Sequence, residues 1–167
     1  MNKLIIKNKK FKNLIANICK QITFDIDSWR PDYIVGLTRG GLLPAVMISH
    51  YFDIPMQSLD ISLRDGGNTV SNLGMGEDAY EGKNILVVDD INDQGTTLNW
   101  IMKDWPSGCF PNNDRWEHVW GNNVRFAVVV DNLSSQCNIS MNYWGMEVNK
   151  AEEDVWIEFP YEEWWTK

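Results

Sequence analysis

Apolar positions recur along this chain with two periods, and the periods change places several times. Phe11, Leu14, Ile15, Ile18, Cys19 and Ile22 follow helical spacing, which predicts an amphipathic helix over roughly residues 9–25. Tyr33 to Leu37 is a short apolar run ending in a glycine-rich turn, as suits a buried strand. The stretch LLPAVMISHYF predicts a helix, with Pro44 acceptable in its first turn and Leu43, Val46, Met47 and His50 on one face. Leu59, Ile61 and Leu63 alternate with Asp60, Ser62 and Arg64, the period of a half-buried strand. Residues 65–80, DGGNTVSNLGMGEDAY, carry four glycines and no period, and so predict a long loop of the kind usually kept for function. Asn84 to Val88 predicts a strand, Thr96 to about Lys103 a helix with Leu98, Ile101 and Met102 on its apolar face, and Arg125 to Val130 another buried strand. PSGCFPNNDRWEHVWGNN is a long, aromatic-bearing connection between the last two, and DVWIEFPYEEWW predicts a short β segment closed by Pro160.

Strands alternating with helices predict an α/β fold: a mostly parallel twisted sheet covered by helices on both faces. Ligands of such sheets sit beyond the carboxyl ends of the strands. Two loops fall at such ends, one after Leu37 and one after Val88.

Length sets one domain, spanning 1–167. A hydrophobic content of 44% supports a core and excludes disorder. The net charge of −8 disfavours a nucleic-acid backbone as partner and supplies no long-range attraction for anions. An anionic ligand must therefore be held by local devices. Cys19, Cys109 and Cys137 are scattered, which reads as a reduced, cytoplasmic setting. The N-terminal MNKLIIKNKKFKNL is too short in apolar residues for a signal core or a membrane span, so the sequons at Asn132 and Asn138 are read as inert. His50 and His118 have no partners at ligand spacing. Of nine tryptophans, Trp105, Trp116 and Trp120 fall in the helix-to-loop region, and Trp164 and Trp165 are expected to pack on the domain or on a subunit partner.

The chemistry concentrates in ILVVDDINDQGTTL, residues 85–98. Asp89 and Asp90 stand where the strand is expected to become loop, and DQGTT then leads into a helix. Successive backbone amides at a helix N-terminus form an anion cradle suited to a phosphate. Gly95 permits close backbone approach, and Thr96 and Thr97 add hydroxyl donors. The carboxylates suit sugar hydroxyls or Mg²⁺. LTRGG, with Thr38, Arg39, Gly40 and Gly41, is a second anion site with a cation of its own. Two such sites at neighbouring strand ends suit a ligand with phosphates at both ends, and a ribose 5-phosphate fits the first.

ILVVDDINDQGTTL resembles the phosphoribosyl-pyrophosphate signature of the type I phosphoribosyltransferases. IVGLTRGGLLPA resembles their pyrophosphate loop, and DVWIEFPYE resembles the hood segment of the xanthine-guanine and hypoxanthine enzymes. The resemblance implies a core over about 9–131 and a hood mainly within 132–167. It implies Asp89 and Asp90 on the ribose hydroxyls or Mg²⁺, and Asp93 as general acid or base toward N7 of a purine. It places the 5-phosphate on Asp93, Gln94, Gly95, Thr96 and Thr97. It puts the pyrophosphate on Thr38, Arg39 and Gly40, with a non-proline cis peptide common there, and with Arg64 reaching from the root of a closing loop at 65–80. It places Trp156 and Ile157 against the base and Glu162 near an exocyclic amine. It also implies homo-oligomers, dimers or tetramers, and phosphoribosyl pyrophosphate and a nucleobase as partners.

The sequence departs from the pattern at one telling place. After RFAVVV the family has a lysine that donates to the purine 6-oxo group; here the position is Asn132 or its neighbour Asp131. An asparagine amide donates without charge, and an aspartate favours an amine, so a 6-oxopurine is the favoured base, accepting phosphoribose from phosphoribosyl pyrophosphate, and a pyrimidine or a modified base stays open. Gln94 also stands where Thr or Ser is usual. Two other classes stay open: a phosphoribosyl-pyrophosphate sensor on the same fold without turnover, and a phosphoacceptor domain using Asp89 or Asp90, which leaves TRGG and DQGTT unexplained.

Overall fold

A computed structural model describes residues 1–61, 73–109 and 111–166. Five strands form the main sheet: β2 (Tyr33–Leu37), β3 (Met56–Leu59), β4 (Ile85–Asn92), β5 (Val124–Asn132) and β6 (Tyr143–Val148). Their order is β3-β2-β4-β5-β6, every neighbouring pair parallel. A two-stranded parallel sheet of β1 (Asn2–Ile5) and β7 (Val155–Glu158) forms the hood, with Lys3 Nζ 3.0 Å from Glu158 Oε2.

The inner strands are buried on both faces, and alternate residues serve opposite cores. Ile34, Leu86, Val88, Ala127 and Val129 face one core with α1 (Asn8–Thr23) and α2 (Leu42–Phe52). Val35, Leu37, Ile85, Val87, Phe126 and Val128 face the other with α3 (Leu73–Tyr80) and α4 (Thr96–Gly108). On α1 the buried stripe is Phe11, Leu14, Ile15, Ile18, Cys19 and Ile22, as its spacing predicts. Its Gln21 side chain also donates to the Trp144 carbonyl (2.7 Å) and accepts from the Trp144 amide (3.1 Å), so the outer edge of β6 is partly covered.

Several expectations are corrected. On α2 the buried residues are Pro44, Ala45 and Ile48, whereas Leu43, Val46 and His50 are exposed and Met47 is half-buried. The helix starts on Gly41 and turns its small residues to the sheet, a face an apolar count does not favour. The third strand ends at Leu59, and residues 62–72, with Leu63 and Arg64, lie outside the described residues. The second half of the expected loop, 73–80, is helix α3, where Met75 and Ala79 enter the core. Strand β4 runs on through both aspartates to Asn92. The segment taken as hood contributes β6 to the main sheet, and the hood draws its second strand from the N-terminus. The long connection after α4 carries a short 3₁₀ helix (Asp114–His118) and lays Trp116 on Trp120 (centroids 5.7 Å, 23°), with Trp105 and Phe126 alongside. Trp164 and Trp165 remain exposed.

At the amino end of the sheet a polar knot ties β5, β6 and the segment after α1. Arg125 Nη1 lies 2.9 Å from Asp25 Oδ2, Tyr143 donates to the same oxygen at 2.8 Å, and the guanidinium sits 4.8 Å over the Trp29 ring. Burial alone would raise the Asp25 carboxyl. The hydrogen bonds from Tyr143 and from the Asp27 amide, with the Arg125 charge, outweigh burial and hold it below the ordinary carboxylate value. A depressed carboxylate contributes stability above its unfolded pKa of about 3.9, and that contribution is lost as pH falls through the folded value. Asp25→Asn therefore lowers unfolding free energy by about 2 kcal/mol at pH 7. Urea unfolding of both proteins at pH 7 and pH 3 checks this: the difference shrinks at the lower pH.

Candidate functional site

The carboxyl ends of β2 and β4 lie side by side, since Gly36 pairs with Val88 in register. Beyond them, under the hood, opens a cleft of about 1350 Å³. Its lining includes Thr38, Arg39 and Gly40 from the first loop, Asp89 to Thr97 from the second, Lys150, and Trp156, Ile157, Phe159, Tyr161 and Glu162 from the hood.

The first loop is pinned from both sides. Thr38 Oγ1 donates to Asp60 Oδ1 (2.8 Å) and accepts from the Ile61 amide (3.1 Å). The Thr38-Arg39 peptide is cis. A Cβ on Gly40 would stand 2.0 Å from Asp90 Oδ2, and one on Gly41 2.3 Å from the Val88 carbonyl oxygen, so only glycines allow the loop this close to β4. Arg39 is exposed at the cleft.

Asp89 and Asp90 are half-buried on the strand itself. Asp89 Oδ1 accepts from the Asp90 amide (2.9 Å), and Asp90 Oδ1 from the Ile91 amide (2.8 Å). The Tyr161 hydroxyl reaches Asp90 Oδ2 (3.1 Å) and the Gly40 carbonyl (3.2 Å). Burial and the Asp90 charge push the Tyr161 phenol far above its ordinary value, so it stays a neutral donor. Nothing in its spacing marks Tyr161 in the sequence; it is Phe159, stacked on it with ring centroids at 5.6 Å, that turns it inward.

The phosphate-type loop is braced from behind. Gly95 has φ +84° and a Cβ there would lie 2.3 Å from the Cys137 amide nitrogen. The 133–142 connection is stitched to it: the Gln136 amide donates to the Gln94 carbonyl (3.1 Å), Asn99 Nδ2 to the Gln136 carbonyl (3.0 Å), and the Asn138 amide to Asn99 Oδ1 (2.8 Å). Thr96 and Thr97 open α4, whose first amides have no intrahelical partner and face an anion favourably.

The expected base-side residues are rearranged. Asn132 does not line the cleft: it is 5% exposed, its Nδ2 donates to the Asp93 carbonyl (2.7 Å), and its Oδ1 accepts from the Lys150 amide (3.0 Å) and from Ser134. Asp131 accepts from Asn92 Nδ2 (2.8 Å) and is not in the lining either. The cation at this end is Lys150, two residues after β6, with Nζ 2.9 Å from Asp93 Oδ1. Sequence reasoning passed over Lys150 because it stands in the polar run NKAEED, which reads as a solvated turn. Glu162 lines the cleft but one of its oxygens caps the Phe159 amide (2.7 Å). Arg64 lies outside the described residues, as do 65–72 of the expected closing loop.

Two adjacent carboxylates on a strand end, a helix N-terminus beside them and a glycine-tight loop opposite are thus gathered in one cleft. Residues 2–163 match the family described as "Phosphoribosyl transferase domain", and the chain belongs to that family. The hypoxanthine-guanine phosphoribosyltransferase of Schizosaccharomyces pombe is 30% identical over 182 residues, covering 90% of this chain and 86% of that protein. The xanthine-guanine phosphoribosyltransferase of Cereibacter sphaeroides is 28% identical over 145 residues, covering 83% and 72%. A purine phosphoribosyltransferase structure from Pyrococcus horikoshii shares the fold with a TM-score of 0.68 at 23% identity, over 98% of this chain and 96% of that one. A Neisseria gonorrhoeae protein solved with bound ppGpp shares it with a TM-score of 0.69 at 21% identity, over 96% and 89%.

Gly95 allows a test of the bracing. Gly82 also has a left-handed φ, of +92°, but open space around its missing Cβ. Gly82→Ala should carry only the backbone penalty, about 1 kcal/mol. Gly95→Ala should lose clearly more, because Cys137 and its connection must move. Thermal unfolding of both variants measures the difference; equal losses would mean the connection yields freely.

Proposed function

We propose that the cleft transfers the 5-phosphoribosyl group from phosphoribosyl pyrophosphate to a purine bearing an oxo group at C6. The products are a nucleoside 5′-monophosphate and pyrophosphate. The observation that carries this reading is the side-by-side placement of the Asp89-Asp90 pair and its following anion cradle with the Thr38–Gly40 loop. The names of the purine-specific relatives support the choice of base.

The roles follow from charge and position. The amides of 94–97 and the Thr96 and Thr97 hydroxyls bind the 5-phosphate. Thr38, Arg39 and Gly40 take the pyrophosphate, where Arg39 offsets charge that grows as it departs. A ring nitrogen of the base forms the bond to the anomeric carbon, whose bond to the pyrophosphate oxygen breaks with its electron pair leaving on oxygen. The proton on the opposite imidazole nitrogen of the base passes to the Asp93 carboxylate. Trp156 and Ile157 hold the ring.

The residues also fit Mg²⁺ carried in with the ligand. Among the described residues, no group of three or more carboxylate, histidine or cysteine side chains gathers to hold a metal. Two half-buried aspartates suffice for an ion that shares its shell with phosphates and water. Asp89 and Asp90 would hold Mg²⁺, which when bound would supply positive charge to offset that of the departing pyrophosphate.

Steady-state assays of the purified protein with hypoxanthine, guanine, xanthine, adenine and uracil test the proposal. Asp93→Asn should lower kcat by about 10²-fold or more with phosphoribosyl pyrophosphate binding little changed. Absence of turnover with every purine would sink the purine reading, and tight ligand binding without any turnover would favour a sensor. No helix among the described residues is long and apolar enough to cross a membrane, and a cytoplasmic site of action fits the free, scattered cysteines. Self-association is expected through exposed apolar surface, namely Leu43, Val46 and Tyr51 on α2 and Trp164 and Trp165 at the hood. Sedimentation should show a dimer or tetramer, and Val46→Glu or Trp165→Glu should weaken whichever contact is used.

A further inference from the structure

We infer that Tyr161 is a positioning residue whose hydroxyl fastens the hood to both anion loops, so that a sugar phosphate spanning those loops orders the hood that receives the base. The inference rests on the transfer proposed above. It gives a task to a hydroxyl that the roles above leave unassigned.

Tyr161 stands on the turn that follows β7. The turn is closed twice: the Glu162 amide donates to the Phe159 carbonyl (3.0 Å), and Glu162 Oε2 accepts from the Phe159 amide (2.7 Å). Pro160 fixes one φ inside it. Phe159 is buried in the core and lies parallel to the Tyr161 ring, with an interplanar angle of 1° and 5.6 Å between centroids. Phe11 of α1 meets both rings edge-on, Phe159 at 6.3 Å and Tyr161 at 5.9 Å, an arrangement the ring quadrupoles favour. The phenol is therefore aimed by the core and by a closed turn.

The hydroxyl has one proton and two acceptors. Asp90 Oδ2 lies 3.1 Å away and the Gly40 carbonyl oxygen 3.2 Å away. The carboxylate is the stronger acceptor; the carbonyl takes the proton when a sugar hydroxyl or a cation claims the carboxylate. The other Asp90 oxygen accepts from the Ile91 amide at 2.8 Å. Each oxygen thus has one donor within the protein and a lone pair left for a ligand, and the carboxylate is held in one orientation from two sides.

Gly40 and Asp90 belong to the two loops that phosphoribosyl pyrophosphate would span. A ligand with a phosphate at each end fixes the separation of these loops, and so fixes both acceptors of Tyr161. The hood's other ties, the pairing of β7 with β1 and the ion pair of Lys3 with Glu158, reach neither loop. Order already imposed by the sugar phosphate need not be imposed again when the base arrives. Trp156 and Ile157, on β7 just before the turn, gain from it directly. The coupling is reciprocal: a base held under the hood strengthens the grip on the sugar phosphate by the same factor.

The test is hydrogen–deuterium exchange of the hood, read on peptides spanning residues 155–163, with and without saturating phosphoribosyl pyrophosphate and Mg²⁺. In the parent protein the ligand should slow exchange there at least about fivefold, the lower range of coupling between sites. Tyr161→Phe keeps the ring stack and loses one oxygen, so the hood stays folded; its protection by the ligand should fall below about twofold. In steady state the variant should raise KM for phosphoribosyl pyrophosphate about tenfold, the loss of one hydrogen bond to a charged group. Its kcat should hold within about threefold, the pattern of lost binding rather than lost chemistry. A merely structural role would speed hood exchange equally with and without ligand and leave the protection factor at the parent's value; that result overturns the inference and leaves the transferase reading intact. A parent whose hood gains no protection from the ligand overturns it as well. A parent without turnover whose hood is still protected defeats the transferase reading alone, and the loss of that protection in Tyr161→Phe upholds the inference.

Discussion

The cleft depends on the parallel pairing of β4 with β2 and β5. Parallel strands end together, so Leu37 and Asn132 come to the same edge as Asp89–Asn92 although they are far apart in sequence. Each of the three strands delivers a different kind of group there: β2 a tight cationic loop, β4 carboxylates, β5 a neutral amide. Contact between the first two is so close that a methyl group at Gly40 would occupy the position of the Asp90 carboxylate. The two anion loops are therefore one object, and a change in either is felt by the other.

This closeness sets an electrostatic problem in a chain of net charge −8. Asp89, Asp90 and Asp93 lie within five residues and line one cleft. The protein answers them with three kinds of donor. Backbone amides serve Asp89 and Asp90, the Tyr161 phenol serves Asp90, and the Lys150 ammonium serves Asp93. Tyr161 serves Asp90 without bringing a charge of its own. Its proton is held firmly by burial and by the anion it serves, so the contact does not titrate away under ordinary conditions.

How far the sequence was legible follows the same physics. Buried parallel strands announce themselves as unbroken apolar runs, so YIVGL and the first half of β4 and β5 were readable, and the two loops at their ends carried their chemistry in a few contiguous residues. β1 was missed because four residues, NKLI, gain stability only from a partner 153 positions away. β6 was missed because YWGMEV is an edge strand covered on one face by α1, and its half-exposed residues show no clean period. α2 misled because Ala45 and Pro44, small rather than oily, are what the sheet accommodates. Of the expected base-side residues, Trp156, Ile157 and Glu162 line the cleft, and Asn132 does not for a related reason. Asn132 was read as a substitute for a charged donor, whereas its two-sided amide had been taken for a backbone task. The cation itself sat in NKAEED, where only tertiary structure distinguishes it from a solvated turn.

The hood follows from these contacts as a working part of the cleft rather than a cover laid on it. β7 is tied to β1 along its length, and Lys3 anchors Glu158 at the far end. From that frame Tyr161 reaches down to Gly40 and Asp90 at once, so the hood touches both anion loops through a single hydroxyl. Lys150, on the segment entering β7, touches the third carboxylate. Two carboxylates on β4 and a third just past its end are thus divided among three structures: amides of β4 itself, the tail of the hood, and the turn that leads into it. The contacts on Asp90 and on Asp93 are therefore separable in this chain, made by different residues and reached from different elements, although the two carboxylates lie three positions apart.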